Sequence, residues 1–312
     1  MIELMVGLFI ATLVLTPLIG LAVHLLQTDR REQARNTSEE ELQTALEYIS
    51  RDLQQAIYIY DRDGLDAITD QLPVSNTSVD LTPVLVFWKR KLVENAQPIN
   101  GNVNSNRCAR DEPDKNLCDN TFVYSLVGYY LVEGGSNIWS KALRVGRFEI
   151  QDGVTRLDDD TVYVDEDDSR IGRDDGFAPF DLSGEGTLSE RMATWEKGGE
   201  DFKNFPQSNI LLDFIDQSTG GEIASEDCPA DSDTNDNDPE WQMIPNPDTI
   251  ENSGFYVCVF SSQNKARIFL RGNALARLRS RKNVPEYGDG ASAFFPTTKI
   301  EVKGTGILTG SQ

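Results

Sequence analysis

Carboxylates are the chemical group this sequence holds in greatest number: 51 Asp and Glu stand against 29 Lys and Arg, a net charge of −22. They come in clusters. Asp158-Asp159-Asp160 leads on to Asp165-Glu166-Asp167-Asp168, and Asp231-Ser232-Asp233-Thr234-Asn235-Asp236-Asn237-Asp238 precedes Glu240. Alternating Asp and Asn set several oxygens on one side of a tight loop, which suits a hard cation such as Ca²⁺. Asp231, Asp233, Asn235 and Asp238 are the candidate ligands. The likeness to an EF-hand stops there: Asp236 stands where the turn needs Gly, Gln242 where the loop needs its last Glu, and no helix flanks the run. A solvated loop is the plainer reading and a looser Ca²⁺ loop the sharper one.

Histidine chemistry has a single candidate, His24, and it lies inside an apolar run. A Ser-His-Asp or Cys-His arrangement, or a His-ligated zinc, is therefore excluded from the rest of the chain. No glycine-rich phosphate cradle is present. A glycosidase needs just two carboxylates, but the sequence pairs none of its many, so the expectation is a protein that is not an enzyme. The acidity also argues against nucleic acid, which needs a basic face. Trp88, Tyr129, Tyr130, Trp139, Trp195 and Trp241 could stack on a glycan. Those in strands read as core, which leaves Trp195 and Trp241 as the better binding candidates. The basic segment from Arg267 to Lys282 reads first as a solvated face, and otherwise as a contact for an acidic polymer or a neighbour's acidic loop.

The four cysteines, Cys108, Cys118, Cys228 and Cys258, form no Cys-x-x-Cys pair. Three pairings are open. The local one, Cys108 with Cys118 and Cys228 with Cys258, suits an oxidising compartment.

The element that must carry all this begins at the N-terminus. Met1 to Leu26 is almost continuously apolar, broken by Glu3, Thr12, Thr16, Pro17 and His24. As a helix of about 1.5 Å per residue it is long enough to cross a hydrocarbon core of about 30 Å. It lacks the basic start and small-residue cleavage site of a secretory signal, and so reads as retained. Pro17 and Gly20 are expected to loosen or kink it. Beyond Asp29-Arg30-Arg31-Glu32 the apolar residues fall at Leu42, Ala45, Leu46, Ile49, Leu53, Ala56, Ile57 and Tyr60. That spacing predicts a continuing amphipathic helix to Tyr60, stopped by Asp61-Arg62-Asp63-Gly64. Glu3 is the exception that needs a reason, because an ionised carboxylate in hydrocarbon costs about 3 kcal/mol or more.

Met1-Ile2-Glu3-Leu4-Met5-Val6, followed by an apolar helix, resembles the type IV prepilin N-terminal motif, whose usual mature start reads Phe-Thr-Leu-Ile-Glu-Leu. Met1 stands here in the place of that Leu. Thr28 to Ala34 and Tyr48 to Tyr58 look like the hormogonium polysaccharide secretion pseudopilins of filamentous cyanobacteria, and Arg51-Asp52-Leu53-Gln54-Gln55-Ala56 also resembles larger minor pseudopilins of type II secretion. The resemblance implies that Glu3 neutralises the α-amino group of a neighbouring subunit. It also implies as partners other pilin or pseudopilin subunits, an inner-membrane assembly platform, a prepilin peptidase and a polysaccharide.

Past Gly64 the pattern turns to strands: Val84 to Trp88, then Thr121 to Glu133 and Ile138 to Ile150 as a hairpin about Gly134-Gly135-Ser136-Asn137. Ile210 to Ile215, Gly254 to Phe260, Ala266 to Arg271 and Thr297 to Lys303 follow, with a short helix or turns over Gly272 to Lys282. Residues 95–120, 158–175 and 225–246 read as long polar insertions. The fold class is α+β and pilin-like: a long N-terminal helix, half membrane-spanning and half amphipathic, packed on antiparallel sheet. Residues 1–27 form the membrane and polymerisation half-helix, and 28–312 an extracytoplasmic domain (helix 28–60 plus a β-rich region 80–305). The expected function is a non-catalytic minor pilin or pseudopilin of a single-pass inner-membrane type, incorporated into a periplasmic or surface filament. The alternative is a single-pass membrane-anchored domain that binds or cleaves an extracellular glycan.

Overall fold

The computed structural model describes residues 2–75, 77–98, 118–135, 138–155, 171–203, 205–218, 228–229, 241–246, 254–278 and 284–306. Helix α1 runs unbroken from Ile2 to Leu53, through Pro17 and Gly20. At about 1.5 Å per residue it is roughly 78 Å long. Its two halves differ completely in surroundings. Residues Ile2 to Gln33 are all exposed, whereas Ala34, Ser38, Leu42, Ala45, Leu46, Ile49 and Leu53 form a buried stripe at intervals of three and four. The stripe lies on a short helix, α4 (Ala274–Leu278), and on strands β5 (Ile210–Ile215), β8 (Lys265–Arg271) and β9 (Thr297–Lys303). Burial of each large aliphatic side chain there contributes about 1.5–3 kcal/mol. Arg277 of α4 adds hydrogen bonds to Ser38 and Glu41 of α1.

The helix ends seven residues before the Tyr60 expected from spacing. Ala56 and Ile57 keep the helical interval but lie in strand β1 (Ala56–Ile59), which pairs antiparallel with β2 (Val79–Pro98). Capping explains the break. The Gln54 carbonyl accepts from the Thr305 amide and hydroxyl, and the Ala56 carbonyl accepts from the Gly306 amide and the Asn264 side chain. The segment that follows β9 thus satisfies carbonyls that a further turn of helix would have used. A side chain at Gly304 or Gly306 would collide with the Ala56 carbonyl. Asp61 likewise starts an element rather than stopping one: its Oδ1 accepts from the Gly64 amide at 2.9 Å and caps α2 (Arg62–Ile68).

Two antiparallel meanders make up the rest. The first has the order β1-β2-β3-β4-β5, with β3 at Cys118–Gly134 and β4 at Leu143–Gln151; the second is β6-β7-β8-β9, with β6 at Gln242–Ile244 and β7 at Phe255–Phe260. The sheets meet where Ile215 bridges Gly272 and the Asp216 amide donates to the Arg271 carbonyl. The β2–β3 hairpin is much longer than the apolar run at Val84 to Trp88: its register extends from Val79 opposite Gly134 to Pro98 opposite Cys118. It continues into the region 95–120 read as a polar insertion, and β6 lies inside another, 225–246. Gly134 and Gly135 take φ of +75° and +67° after β3, which only glycine adopts at no steric cost. Ile138 and Trp139 fall outside β4, which starts at Leu143.

Residues 171–203 cover the first sheet. Trp88 sits fully buried between the edge-on rings of Phe177, Phe180 and Trp195. Its indole N–H donates to the Tyr60 hydroxyl, which donates to the Met192 carbonyl, each at 3.0 Å. A short helix, α3 (Leu188–Met192), is held by a Thr187–Glu190 capping box. Trp195, expected on a loop surface, is 4% exposed and donates its indole N–H to the Ala178 carbonyl. It is core, packed on Trp88 by a covering segment that forms little regular structure.

Candidate functional site

Two features of α1 stand out, one at each half. The first is the apolar half itself. Leu13 is 63% exposed and its neighbours from Ile2 to Leu26 are similar, so nothing among the described residues covers them. This segment is long and apolar enough to span a membrane. Its polar side chains are arranged for an apolar medium: the Thr12 hydroxyl donates to the Phe9 carbonyl and the Thr16 hydroxyl to the Thr12 carbonyl, at 2.9 and 2.7 Å. Such bonds back to the helix leave no hydroxyl unsatisfied in lipid. Glu3 stands in the first turn, where the helix dipole favours an anion.

The second feature is a buried charge network at the far end. Asp52, 7% exposed, faces the sheet rather than solvent. Lys89 Nζ donates to its Oδ1 at 2.6 Å; the Tyr129 hydroxyl and Arg147 Nη2 both donate to its Oδ2 at 2.8 Å. Arg147 also reaches Glu149 Oε2 at 2.7 Å, and Lys89 lies 3.1 Å from Glu149 Oε1, which accepts from the Ser125 hydroxyl at 2.8 Å. Burial would push the Glu149 carboxyl up, but Arg147, Lys89 and Lys91 outweigh it and hold it at about 2. Burial, with Asp52 close by, pushes the Tyr129 hydroxyl well above its ordinary range. Glu149 is thus a fixed anion, and both carboxylates have their oxygens occupied.

Beside this network opens a groove of about 670 Å³. Tyr48 of α1 forms one wall, its ring 5.8 Å from the Arg147 guanidinium. Lys91, Glu149, Gln151 and Asp174 line it as well, with Asn209, Ile210 and Leu211 leading into β5. Asp174 Oδ2 accepts from the Gln151 amide at 2.9 Å, and burial raises the carboxyl above the usual carboxylate range.

The residues singled out in the sequence do not converge on one place. Glu3 is at the start of α1. Cys228 and Cys258 are joined, tying residue 228 to β7 across 30 positions. Cys118 is also disulfide-bonded, while Cys108 lies outside the described residues. Asp231, Asp233, Asn235 and Asp238, and the acidic runs at 158–160 and 165–168, lie outside them too. Among the described residues no group of acidic, His or Cys side chains is placed to hold a metal ion. Trp241 is half-buried, packed on Phe260 and beneath Arg267. In the described part of the basic segment, Arg267 pairs with Glu301, Arg271 lies 3.8 Å from Asp216, and Arg277 bonds Glu41, while residues 279–282 lie outside the described residues. The groove was missed because its charges come from β2, β4 and residue 174, which no sequence spacing relates. The one available signal was Asp52, an acid on the buried side of an amphipathic stripe.

No family model, no curated protein and no solved structure matches the chain.

Proposed function

We propose that this chain is a minor pilin-like subunit: a non-catalytic component of a type IV pilus-like or type II secretion-like filament, acting in polysaccharide secretion and surface motility. The observation that carries the reading is the uncovered apolar half of α1, with a single carboxylate in its first turn and a folded domain held on its other half. A membrane anchor alone would account for the apolar surface but not for Glu3. A carboxylate at that position gains most when a neighbouring subunit brings a positive charge to it, since a buried charge needs a compensating one. The apolar helix then serves two environments, lipid before assembly and other helices after it. Helix association of this kind is driven by packing and satisfied polar groups rather than by expulsion of water.

In this reading the chain is a single-pass inner-membrane protein with residues 28–312 outside the cytoplasm, where the Cys228–Cys258 disulfide persists. Its partners are other pilin-like subunits, an assembly platform and a prepilin peptidase. The bulk of the outer domain favours a minor component, and Glu3 favours a position below another subunit rather than the extreme tip. The test is Glu3→Ala in producing cells. The variant is expected at normal level in the membrane fraction and absent from sheared filaments; incorporation at the wild-type level would refute the assembly role.

A further inference from the structure

We propose that the groove beside Tyr48 binds a short neutral oligosaccharide. This goes beyond the assembly reading and stands without it. The groove's volume, about 670 Å³, falls within the ~300–1,000 Å³ of small-ligand sites. Its walls match the two surfaces of a pyranose ring. The ring's C–H face needs an aromatic or aliphatic platform, and the Tyr48 ring, 46% exposed, supplies one in a groove that Ile210 and Leu211 also line. The hydroxyl rim needs mixed donors and acceptors. Lys91 and Asn209 donate, and Asp174 Oδ1, which makes no hydrogen bond among the described residues, accepts.

Charge decides against other ligands. Lys91 and Arg147 are balanced by Glu149 and Asp174, so the lining itself carries no net formal charge. An anionic ligand would also approach a chain of net charge −22. A divalent cation would meet Lys91 and Arg147. The site is also preorganised. Arg147 and Glu149 are tied through Asp52 and Lys89 to α1 and β2, so the floor does not collapse when empty or rearrange when filled. Rigid sites of this kind lose little ordering entropy on binding.

The test is calorimetric titration of the full chain in a detergent without a sugar headgroup. The probes are cellotetraose, chitotetraose, maltotetraose and, as the anionic comparison, tetragalacturonate. At least one neutral tetrasaccharide should bind saturably, with affinity unchanged between about 0.05 and 0.5 M salt, because no ion pair is screened. Tyr48→Ala should weaken binding at least about tenfold while leaving the unfolding midpoint unmoved, since that side chain is largely outside the core. Asp174→Asn should weaken it too, and Tyr48→Phe should bind as wild type. Glu3→Ala should also bind as wild type, which separates this proposal from the assembly reading. The proposal is overturned if no neutral tetrasaccharide binds below about 10 mM. It is equally overturned if Tyr48→Ala binds unchanged, or if tetragalacturonate binds best and is lost in salt.

Discussion

The two halves of α1 are one continuous helix with opposite solutions to the same problem. From Ala34 to Leu53 the apolar stripe and even the acid Asp52 find partners inside the chain. From Ile2 to Leu26 none of the apolar surface finds a partner among the described residues, and the polar side chains Thr12 and Thr16 close on their own backbone instead. In the proposed reading, the contrast means that the first half is finished by lipid or by other subunits. It also predicts a sharp division of mutational effects: changes in the second half register in unfolding, and changes in the first register in membrane insertion and assembly.

The largest effect should come from Asp52→Ala. It leaves Lys89, Arg147 and the Tyr129 hydroxyl facing an empty position, and removing one member of a buried ionic group costs about 3–5 kcal/mol. Urea unfolding followed by tryptophan fluorescence should show it, and a loss under about 1 kcal/mol would mean the network is solvated. Leu46→Ala comes next, with about 2–4 kcal/mol lost from the stripe. The same truncation at exposed Leu13 should leave the unfolding midpoint within about 0.5 kcal/mol.

Acid sharpens the comparison further. Glu149 is held at about 2 in the folded chain, against an ordinary value of 4.5. Its contribution, about 3 kcal/mol at most, is therefore complete above pH 4.5 and fades as the pH falls toward 2. Asp174, raised by burial, works the other way, because its ionised form is the destabilised one. Subtracting the stability–pH curve of Glu149→Gln from that of the wild type isolates the Glu149 step, and a flat difference through this window would contradict the network. The smallest stability effect belongs to Glu3→Ala, expected at roughly zero on unfolding despite its loss of assembly.

Much of the fold was legible because strands β7 and β8 are apolar runs, and the Leu42 to Leu53 stripe has helical spacing. Spacing failed at Ala56 and Ile57, where β2 and residues 304–306 offered the backbone better partners than another helical turn. It failed again at Trp195, buried by a segment that forms little regular structure and whose aromatics find Trp88 only in three dimensions. The groove had no sequence signature for the same reason: Tyr48, Lys91, Arg147 and Asp174 are brought together by strand register and not by proximity in the chain.

The central claim is that the first half of α1 is completed by other subunits. The most direct measurement places a photocrosslinking residue at Leu13, with another at exposed Glu47 as the control, and analyses sheared filaments. Leu13 should crosslink to the N-terminal helix of a different subunit in filaments and to lipid in membranes, while Glu47 captures no neighbouring N-terminal helix. Filaments in which Leu13 crosslinks only within its own chain, or to no other subunit, would contradict the account.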